Sequence, residues 1–475
     1  MKPIPANPII PLAELVASTS YDALPQRAID SAKRFILDTL GVGVAGSSGP
    51  RVRELIDSAA SWGSGEEATV WANGRKLPAG AAALANAYQI HALEFDCVHE
   101  PAVVHPMATL FSALLAHAER RGVQGRPVSG RELINATVLG VEIACTIGAA
   151  SKSAMRFFRP ATAGGFGVVA GIGAIERLDV PTLLNAFGIL YGQTCGTLQA
   201  HVEGSMVLGL QVGFNARAGL TAVDLAKVGM TGPHDILTGS YGFYKLIEPE
   251  YDLAPWWGQL GQTWQVTRLA HKPFPSGRLT HAAIDAVQRL RKTRSLAAGD
   301  IRSIDAWLPP LAYRLVGRPD VASPAPNYAK LCVAFVMATA LIDHAVSLES
   351  FLPEKLIDPA KHALAARINV MQDENTDANA LWPQRFRIVL TDGTVHELTI
   401  EHAIGHPDNP LSDEAHLAKF RACWAMAGRS HPLGSAERPI AAVNGLESMP
   451  DVRELAALLG GNALSATSNS ASAAP

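Results

Sequence analysis

The side chains best suited to chemistry are concentrated in one short segment, where three histidines and three carboxylates occur within fifteen residues: His91, Glu94, Asp96, His99, Glu100 and His105. The segment separates two apolar stretches, residues 81–90 and 108–118, which read as buried helices. A polar cluster at such a break must be fully hydrogen-bonded or functional, because unpaired buried polar groups are costly. Histidine and carboxylate pKa values respond strongly to burial and neighbouring charge, so the segment suits acid–base catalysis. A hydrogen-bonded helix connection without a function is the competing interpretation.

A second group of polar side chains lies on a proline-stiffened loop, Lys272-Pro-Phe-Pro-Ser-Gly-Arg278-Leu-Thr280-His281. Thr280 stands where it could cap the helix that follows. A loop that presents a lysine and an arginine at a domain boundary suits recognition of a carboxylate, although a solvated basic loop fits the same residues equally well. Further candidates, each more often structural when taken alone, are Tyr313 and Lys330.

Several familiar catalytic and binding patterns are absent or lack their structural context. Gly41-Val-Gly43-Val-Ala-Gly46 matches the letters of a dinucleotide-binding motif, but it follows a helical pattern rather than a strand. We therefore expect a helix-packing contact there, and also at the glycine-rich residues 164–167. The histidines and carboxylates have neither zincin nor structural-zinc spacing, so no metal is expected. No Gly-x-Ser-x-Gly elbow occurs, which argues against a serine hydrolase.

The composition is that of an apolar protein with little attraction for polyanions. The chain has 475 residues, 48% of them hydrophobic and 17% charged, with a formal net charge of −3. The apolar excess favours a large helical core, a buried oligomer interface or both, and the charge indicates neither nucleic acid nor an anionic membrane as partner. The longest uncharged apolar run, residues 331–342, is too short to cross a bilayer. Five scattered cysteines and a proline-containing N-terminal segment predict a cytoplasmic protein with reduced thiols and no signal peptide.

The elements that must position these residues are mostly helices up to about residue 265. Apolar residues recur at helical spacing in residues 9–17, 25–40, 81–90, 108–121, 130–150, 162–176, 181–193 and 213–228. Ser129 and Asp179 mark the starts of two of these helices. Frequent alanine and glycine allow close approach between helices, so a compact helical bundle is expected.

The pattern changes near residue 265. Residues 264–269, 301–308, 386–390 and 395–400 read as strands, and the last two form a hairpin around Asp392-Gly393. Helices are predicted at 280–291 and 328–341, and again at 412–426 and 452–459. The predicted fold is mainly α: a large helical domain from residues 1–266 and 402–460, a smaller inserted α+β domain from 267–401, and a disordered tail from 461–475.

Taken together, the chain resembles the MmgE/PrpD family, which includes 2-methylcitrate dehydratase, cis-aconitate decarboxylase and iminodisuccinate epimerase. The resemblance covers nearly the whole sequence. It rests on Leu37-Asp-Thr-Leu-Gly41, His91-Ala-Leu-Glu-Phe-Asp96 with His105-Pro106, Pro160-Ala-Thr-Ala-Gly-Gly-Phe-Gly167, Gly204-Ser-Met with Ala216-Arg217-Ala-Gly219, and Lys272-Pro-Phe-Pro with Arg278-Leu-Thr-His281. It implies that the inserted domain is a lid, that the protein is a homodimer, and that an active site between the domains uses no metal or organic cofactor.

The resemblance also implies site residues. The family's active-site positions are occupied here by Asp96, His105, Lys272 and Tyr313. Glu94 stands where an aspartate is usual, and one extra residue before His105 leaves the alignment of His99 open.

Three positions depart from the family pattern. Phe158-Arg159 stands where His-Pro is common, and Leu208, followed by Gln211, stands where a lysine is frequent. Gly277 stands where the decarboxylases have a histidine. These departures count against both the decarboxylase and the ordinary dehydratase assignments, although Arg159 could restore one cation.

The chemistry common to the family is removal of a proton from carbon next to a carboxylate, or formation of an equivalent carbanion. We assign His105 as the general acid/base, with Asp96 either orienting it or sharing its proton. Lys272 and Arg278 are expected to bind substrate carboxylates, and Tyr313 to donate a hydrogen bond or a proton. The remaining expected substrate-binding residues are Glu94, His99, Arg159, Gln211 and His281.

The expected protein is a cofactor-independent lyase whose partner is a small di- or tricarboxylic acid. A 2-methylcitrate dehydratase-like hydro-lyase is the first expectation. A cis-aconitate-type decarboxylase, an iminodisuccinate-type epimerase and a family member that binds a carboxylate without catalysis remain open.

Overall fold

The computed structural model describes residues 5–428 and 433–460, so the predicted disordered tail, residues 461–475, lies outside the described residues. The fold is mainly α, as expected. Up to residue 260 the helices are Ile9–Ser18, Gln26–Ala45, Val52–Ala60, Ala79–Ala92, Pro106–Val123, Gly130–Ala149, Arg159–Thr162, Gly164–Glu176, Val180–Tyr191, Gln199–Glu203, Val207–Lys227, Phe243–Leu246 and Ala254–Trp257. The later helices are His281–Thr293, Pro310–Val316, Pro326–Lys330, Val333–Asp343, Pro353–Leu356, Pro359–Ala365, Asp413–Gly428, Glu437–Asn444 and Arg453–Leu459.

Two predicted helix starts are confirmed by their caps. The Ser129 side chain accepts a hydrogen bond from the Glu132 backbone, and Glu132 accepts one in return from the Ser129 backbone. Asp179 accepts a hydrogen bond from the backbone N–H of Thr182. Each cap satisfies N–H groups that the first turn of a helix leaves unpaired.

The glycine-rich motif is a packing contact, as predicted, and not a nucleotide loop. It lies within and at the end of the helix Gln26–Ala45. A Cβ atom on Gly43 would come within 2.5 Å of the Trp71 ring, and one on Gly46 within 1.8 Å of the Gln89 carbonyl oxygen. Only glycine permits this approach between helices.

Helices from both ends of the chain pack against one another. Asp413–Gly428 packs along Gln26–Ala45, and Arg453–Leu459 contacts Pro106–Val123. Gly130–Ala149 is long and apolar enough to cross a membrane by composition alone, but 89% of its apolar window is buried inside the bundle, which fits a core helix. The domain boundaries at 266/267 and 401/402 remain predictions.

A small sheet lies in the later part of the chain. Its strands, in spatial order, are Ile368–Gln372, Ile301–Leu308, Gln384–Leu390 and Val395–Ile400. The first pair is parallel and the other two pairs are antiparallel. The predicted hairpin is confirmed, with Gly393 at φ 86° in its turn. A further two-stranded sheet pairs Ala68–Thr69 with Lys76–Leu77.

Four local predictions for this part were wrong or incomplete. Residues 264–269 form a 3₁₀ turn, Gln265–Arg268, because Glu142 binds the Gln265 N–H and the segment packs on bundle helices rather than on a strand. The strand Ile368–Gln372 was missed. The helix predicted at 328–341 is interrupted where Cys332 pairs with Gly317. Thr280 does not cap the helix after it, because its hydroxyl donates to the Gly277 carbonyl instead.

Candidate active site

The polar segment is a connection between two buried helices that is folded back against a distant strand-like segment. His91 lies in the last turn of Ala79–Ala92, and His105 directly precedes the proline that begins Pro106–Val123. Glu94 has a left-handed backbone, with φ 54°. Such a conformation is strained for a residue other than glycine and is often found at functional sites.

A backbone bridge carries the second polar group to the first. Val98 and Ala270 exchange backbone hydrogen bonds of 3.0 and 2.7 Å. Lys272, two residues further along, is thereby placed with its Nζ 2.9 Å from Glu94 Oε2 and 4.0 Å from Asp96 Oδ1. The two segments singled out in the sequence therefore meet, although about 170 residues separate them.

Asp96 is the centre of a compact group that we call the acid–base cluster: His91, Asp96 and His105. The His91 Nδ1–H donates to both carboxylate oxygens of Asp96, at 3.0 and 3.2 Å. His105 Nδ1 lies 3.2 Å from Asp96 Oδ2, and the two imidazole rings are 4.9 Å apart. Asp96 therefore holds His91 by hydrogen bonds and stands at ion-pair distance from His105, outside hydrogen-bond geometry. Its position beside Nδ1 of His105 leaves Nε2 as the nitrogen free to exchange a proton.

The surroundings drive the two histidine pKa values in opposite directions. Burial opposes the charged form of His91, but Asp96 and Glu94 overcome it and raise its pKa. Burial, together with the cations Lys272 and His91, lowers the pKa of His105 against the pull of Asp96. Burial likewise opposes ionisation of Asp96, yet the two histidines hold its pKa well below its usual range. The cluster therefore pairs His91, whose charged form is favoured, with His105, whose neutral form is favoured, an arrangement suited to acid–base chemistry.

Two lysines surround Glu94. Burial raises the pKa of Glu94, but Lys272 and His91 lower it to about 2, so this carboxyl is ionised. The Lys330 Nζ donates to the Leu93 carbonyl at 3.1 Å, and burial lowers its pKa to about 8 despite the nearby Glu94. Lys330 is therefore still mostly charged at neutral pH, but it loses its proton at a lower pH than an ordinary lysine does.

The acid–base cluster opens onto a small cavity. The volume of this cavity is about 70 Å³. His91, Glu94 and His105 line one side, and Arg278 and His201 also contribute. Much of the remaining wall is apolar and includes Val103, Met155, Leu198, Leu279, Val316 and Leu381. A mostly apolar cavity with a few converging polar groups is typical of a small-molecule site.

His99 points away from this cavity, which resolves the alternative left open by the sequence. Its Nε2 lies 3.0 Å from the Gln265 side-chain oxygen, and its Nδ1 accepts a hydrogen bond from the Ala102 N–H. Burial lowers its pKa to about 4, so the ring is neutral. Its contacts favour a structural role, and His105 is the histidine that lines the cavity.

Arg278 lines the cavity but is fully engaged by the protein. Its Nε donates to Glu100 at 2.6 Å, and its Nη atoms donate to the carbonyls of Ile404 and Ala403 at 2.7 and 3.0 Å. Glu100 is itself held by the Trp382 indole N–H at 2.7 Å. His281, predicted to bind substrate, lies behind this pair with its Nδ1 3.3 Å from Arg278 Nη1.

Asp96 and Lys272 do not line the cavity themselves but contact His91, His105 and Glu94, which do. Three more predicted residues do not line it within the part of the chain that the structure describes. Arg159 is fully buried in an ion pair with Glu248, with an Nε–Oε1 distance of 2.6 Å. Gln211 accepts a hydrogen bond from the Thr197 N–H at 2.6 Å. Tyr313 is 36% exposed, whereas Leu315 and Val316 of the same short helix line the cavity. The roles proposed for these residues stay predictions, and the contacts of Arg159 favour a structural one.

Two cavity histidines carried no assigned role in the sequence analysis. His91 belongs to the polar segment, and its position five residues before Asp96 was the available signal. His201 had none: it lies on the short helix Gln199–Glu203, with its Nδ1 3.0 Å from Arg318. Burial and Arg318 lower the pKa of His201 to about 3, so it is neutral.

The described residues include groups with metal-ligating potential. The possible ligand atoms of the acid–base cluster lie within 4.8 Å of one another, and so do those of Asp38, His271 and His416. In the acid–base cluster, the hydrogen bonds from His91 and the adjacent Lys272 already compensate the negative charge of the Asp96 carboxylate. The arrangement needs no metal for acid–base chemistry, and the expectation that none is used stays a prediction.

Comparison with known sequences decides the family. The sequence model of the MmgE/PrpD N-terminal domain matches residues 11–255, and that of the C-terminal domain matches residues 274–437. The chain belongs to the MmgE/PrpD family. The assignment made from its motifs is thereby confirmed.

The chain is similar along most of its length to three cis-aconitate decarboxylases. The Aspergillus terreus enzyme is 27% identical over 464 residues, which cover 93% of this chain and 94% of the relative. The Mus musculus enzyme is 28% identical, with 94% of this chain and 92% of the relative covered. The Homo sapiens enzyme is also 28% identical, with 92% and 91% covered.

Two of the three departures from the MmgE/PrpD pattern lie on the cavity wall. Phe158 and Gly277 line it, next to the acid–base cluster and Arg278 respectively. Leu208 is buried and is not among the lining residues within the described chain. The departures therefore alter the polarity of the cavity itself.

Proposed function

We propose that the protein is an enzyme that removes a proton from the carbon next to a carboxylate of a small carboxylic acid, with His105 as the base. The observation that carries this proposal is the contact of His105 Nδ1 with Asp96, 3.2 Å away, in a ring that lines the cavity. Asp96 orients the imidazole, and Nε2 of His105 takes the proton.

Negative charge that develops on the substrate carboxylate needs fixed positive groups nearby. His91, whose pKa is raised, lines the cavity together with His105, and Lys272 is buried 2.9 Å from Glu94, which also lines it. Preorganised cations of this kind stabilise the carbanion without rearrangement of solvent. Residues 267–401, which supply Lys272 and Arg278, would act as the lid over the site.

The reaction type that we propose is a hydro-lyase of the 2-methylcitrate dehydratase kind. His105 takes the proton, the bond from the adjacent carbon to its hydroxyl oxygen breaks, and protonation of the leaving hydroxide produces water and a double bond. His91 is placed to give that proton. Decarboxylation is the second candidate, because the named relatives are cis-aconitate decarboxylases.

The test is proton exchange followed by NMR in deuterated water. Purified protein would be incubated with citrate, 2-methylcitrate, cis-aconitate and iminodisuccinate, beside a panel of monocarboxylic hydroxy acids. Deuterium uptake next to a carboxylate, abolished by His105→Ala, supports the proposal, and the products identify the reaction. Binding of an acid without exchange would instead favour a non-catalytic family member. The homodimer and the cytoplasmic location stay predictions.

A further inference from the structure

One histidine of the cavity wall has the position of its ring proton fixed by a neighbour. The Nη2 atom of Arg318 lies 3.0 Å from His201 Nδ1, and a guanidinium group can only donate hydrogen bonds. His201 Nδ1 must therefore accept, which places the ring proton on Nε2. Burial and Arg318 lower the pKa of His201 to about 3, which agrees with a neutral ring. His201 Nε2–H is thus a hydrogen-bond donor that does not change with pH near neutrality.

This donor has no acceptor in the protein. His201 is buried, and no hydrogen bond within the described residues involves its Nε2 atom. A buried N–H group without a partner costs free energy, so the great majority of such groups are paired. Because His201 lines the cavity, a bound molecule can supply the missing acceptor.

Arg318, behind His201, has no carboxylate in direct contact within the described chain. Its Nη2 atom donates to His201 and to the backbone carbonyls of His201 and Leu315, and its buried Nη1 atom has no hydrogen-bond partner. Arg278, by contrast, is paired with a buried carboxylate 2.6 Å away. Glu94 of the cavity wall acts on Arg318 only through space, which places the guanidinium within electrostatic range of the cavity.

His201 is close to the acid–base cluster but separate from it. No hydrogen bond or ring contact joins the two within the described residues, although Glu94 and His91 both act on His201 electrostatically. A small acid with several carboxylates has a length suited to such a separation.

We infer that His201 and Arg318 form a subsite for a second carboxylate of the substrate, one that is not next to the proton removed by His105. His201 Nε2–H donates to a carboxylate oxygen. Arg318 is a positioning residue: it holds the ring in the donating form, and its charge strengthens the hydrogen bond from Nε2. This inference rests on the proposed function and names the residues that would select acids with more than one carboxylate.

Two pairs of acids separate recognition of a carboxylate from recognition of a hydroxyl group. Citrate differs from tricarballylate, and malate from succinate, only by the hydroxyl group. The Kd of each acid is measured by calorimetry, and the pair that the wild-type protein binds more tightly is used. His201→Leu removes the donor, whereas His201→Gln keeps an N–H group at a similar reach. Gln199→Ala, an exposed change on the same short helix, is the control.

We expect His201→Leu to weaken binding of both acids of the pair at least ~10-fold, as is typical for loss of a hydrogen bond to a charged group. His201→Gln should bind within about threefold of the wild type, and Gln199→Ala should not differ from it. An unchanged Kd in His201→Leu, or a loss confined to the hydroxy acid, overturns the inference. So does the absence of binding of all four acids to the wild type.

Kinetics separate this inference from the proposed function. On an acid that undergoes exchange, His201→Leu should raise KM about tenfold and leave kcat within about threefold, because a remote carboxylate is bound equally before and during the reaction. A fall in kcat as large as that of His105→Ala would place His201 at the reacting atoms and overturn the inference. Exchange with none of the acids, together with weaker binding in His201→Leu, removes the proposed function and keeps the subsite.

The positioning role of Arg318 is tested by a double variant. Because Arg318 acts through His201, Arg318→Met should weaken binding about as much as His201→Leu, and the double variant should be little weaker than either. Arg318→Lys, which keeps a charged donor, should recover part of the affinity. Additive losses, or no recovery in Arg318→Lys, overturn the positioning role. If His201→Leu does not fold, His201→Asn replaces it, because its amide is one methylene shorter than that of glutamine and should lose the affinity that His201→Gln keeps.

Discussion

Two groups of side chains in this protein have the same composition but very different surroundings. The acid–base cluster consists of His91, Asp96 and His105, and the second group, which we call the buried cluster, consists of Asp38, His271 and His416. Each aspartate also has a lysine nearby: Lys272 is 4.0 Å from Asp96, and Lys419 is 2.7 Å from Asp38.

The two clusters differ in what their histidines face. His91 and His105 line the cavity and contact one carboxylate. His271 is stacked on Phe35, 4.2 Å between ring centres, and His416 lines a different surface depression. Neither ring nitrogen of His416 has a hydrogen-bond partner among the described residues.

Their protonation differs accordingly. In the acid–base cluster one histidine pKa is raised and the other lowered. In the buried cluster both are lowered by burial, that of His271 well below its usual range and that of His416 to about 4. The comparison teaches that residue types alone do not mark a candidate catalytic group. Access to a cavity and opposite pKa shifts of the two histidines are what distinguish the acid–base cluster.

The largest expected difference between the clusters is in catalysis. His105→Ala should lower kcat by at least ~10²-fold, because it removes the proposed base. His416→Ala, the matched change in the buried cluster, should leave kcat within about twofold in protein shown to be folded, because a residue that does not touch the cavity contributes no transition-state contact. Steady-state kinetics on whichever acid proves to be the substrate would check both. Equal losses of kcat in the two variants would show that the two clusters do not differ in their contribution to catalysis.

The second-largest expected difference between the clusters concerns the aspartate of each. Asp96→Asn should lower kcat by roughly tenfold to a hundredfold, because the amide cannot hold His105 or its charge as the carboxylate does. It should also move the acid limb of the pH–rate profile to lower pH, since Asp96 raises the pKa of His105 against burial. Asp38→Asn serves as the control and should change stability without displacing that limb. A limb that stays in place in Asp96→Asn would contradict the proposed contact.

The buried cluster should instead affect how the free energy of unfolding changes with pH. Burial lowers the pKa of His416 to about 4, with Arg34 and Lys419 adding to the shift and Asp38 opposing it. Between pH 6.5 and 4 the unfolded chain therefore binds a proton that the folded chain does not, and stability is lost as the pH falls through this range. His416→Gln should remove roughly 2 kcal/mol of that loss.

Urea unfolding at pH 7 and at pH 4.5 would measure this difference. A His416→Gln protein with the wild-type pH dependence would show that the buried cluster does not hold its histidine neutral.

The smallest expected effect concerns the cation next to the acid–base cluster. Because the pKa of Lys330 is lowered to about 8, kcat/KM should fall as the pH rises through that value and the cavity loses a positive charge. Lys330→Met should lower kcat/KM at pH 7 by about threefold to tenfold and flatten the alkaline limb. If the alkaline limb of the pH profile keeps its position in Lys330→Met, the limb reports the titration of another group.

Much of the local structure could be read from the sequence. The helix pattern, the caps at Ser129 and Asp179 and the hairpin at Gly393 depend on neighbours a few residues apart, and they are confirmed. Residues 264–269 have a strand-like pattern too, but they pack against helices of the bundle and form a 3₁₀ turn there. A local sequence pattern does not predict the structure of a segment whose packing partners are far away in the sequence.

The same division between local features, which the sequence predicts, and contacts with remote residues, which it does not, applies to the candidate site. The polar segment and the lysine loop were both recognisable from residue types, and the structure brings them together. The alternative between His99 and His105 was not resolvable, because it depends on how the connection turns after Val98 pairs with Ala270. Arg159 illustrates the opposite error: a cation beside a family motif was expected to face a ligand, but it is paired with Glu248.

The sequence by itself determined the family, the succession of helices and the inventory of acids, bases and cations, because these are written in residue order and short-range periodicity. Only the tertiary structure decided which histidine faces the cavity and which cations are already paired. Those properties depend on distances of a few ångströms between residues that are far apart in the chain, and on burial, which strengthens each charge interaction by excluding water.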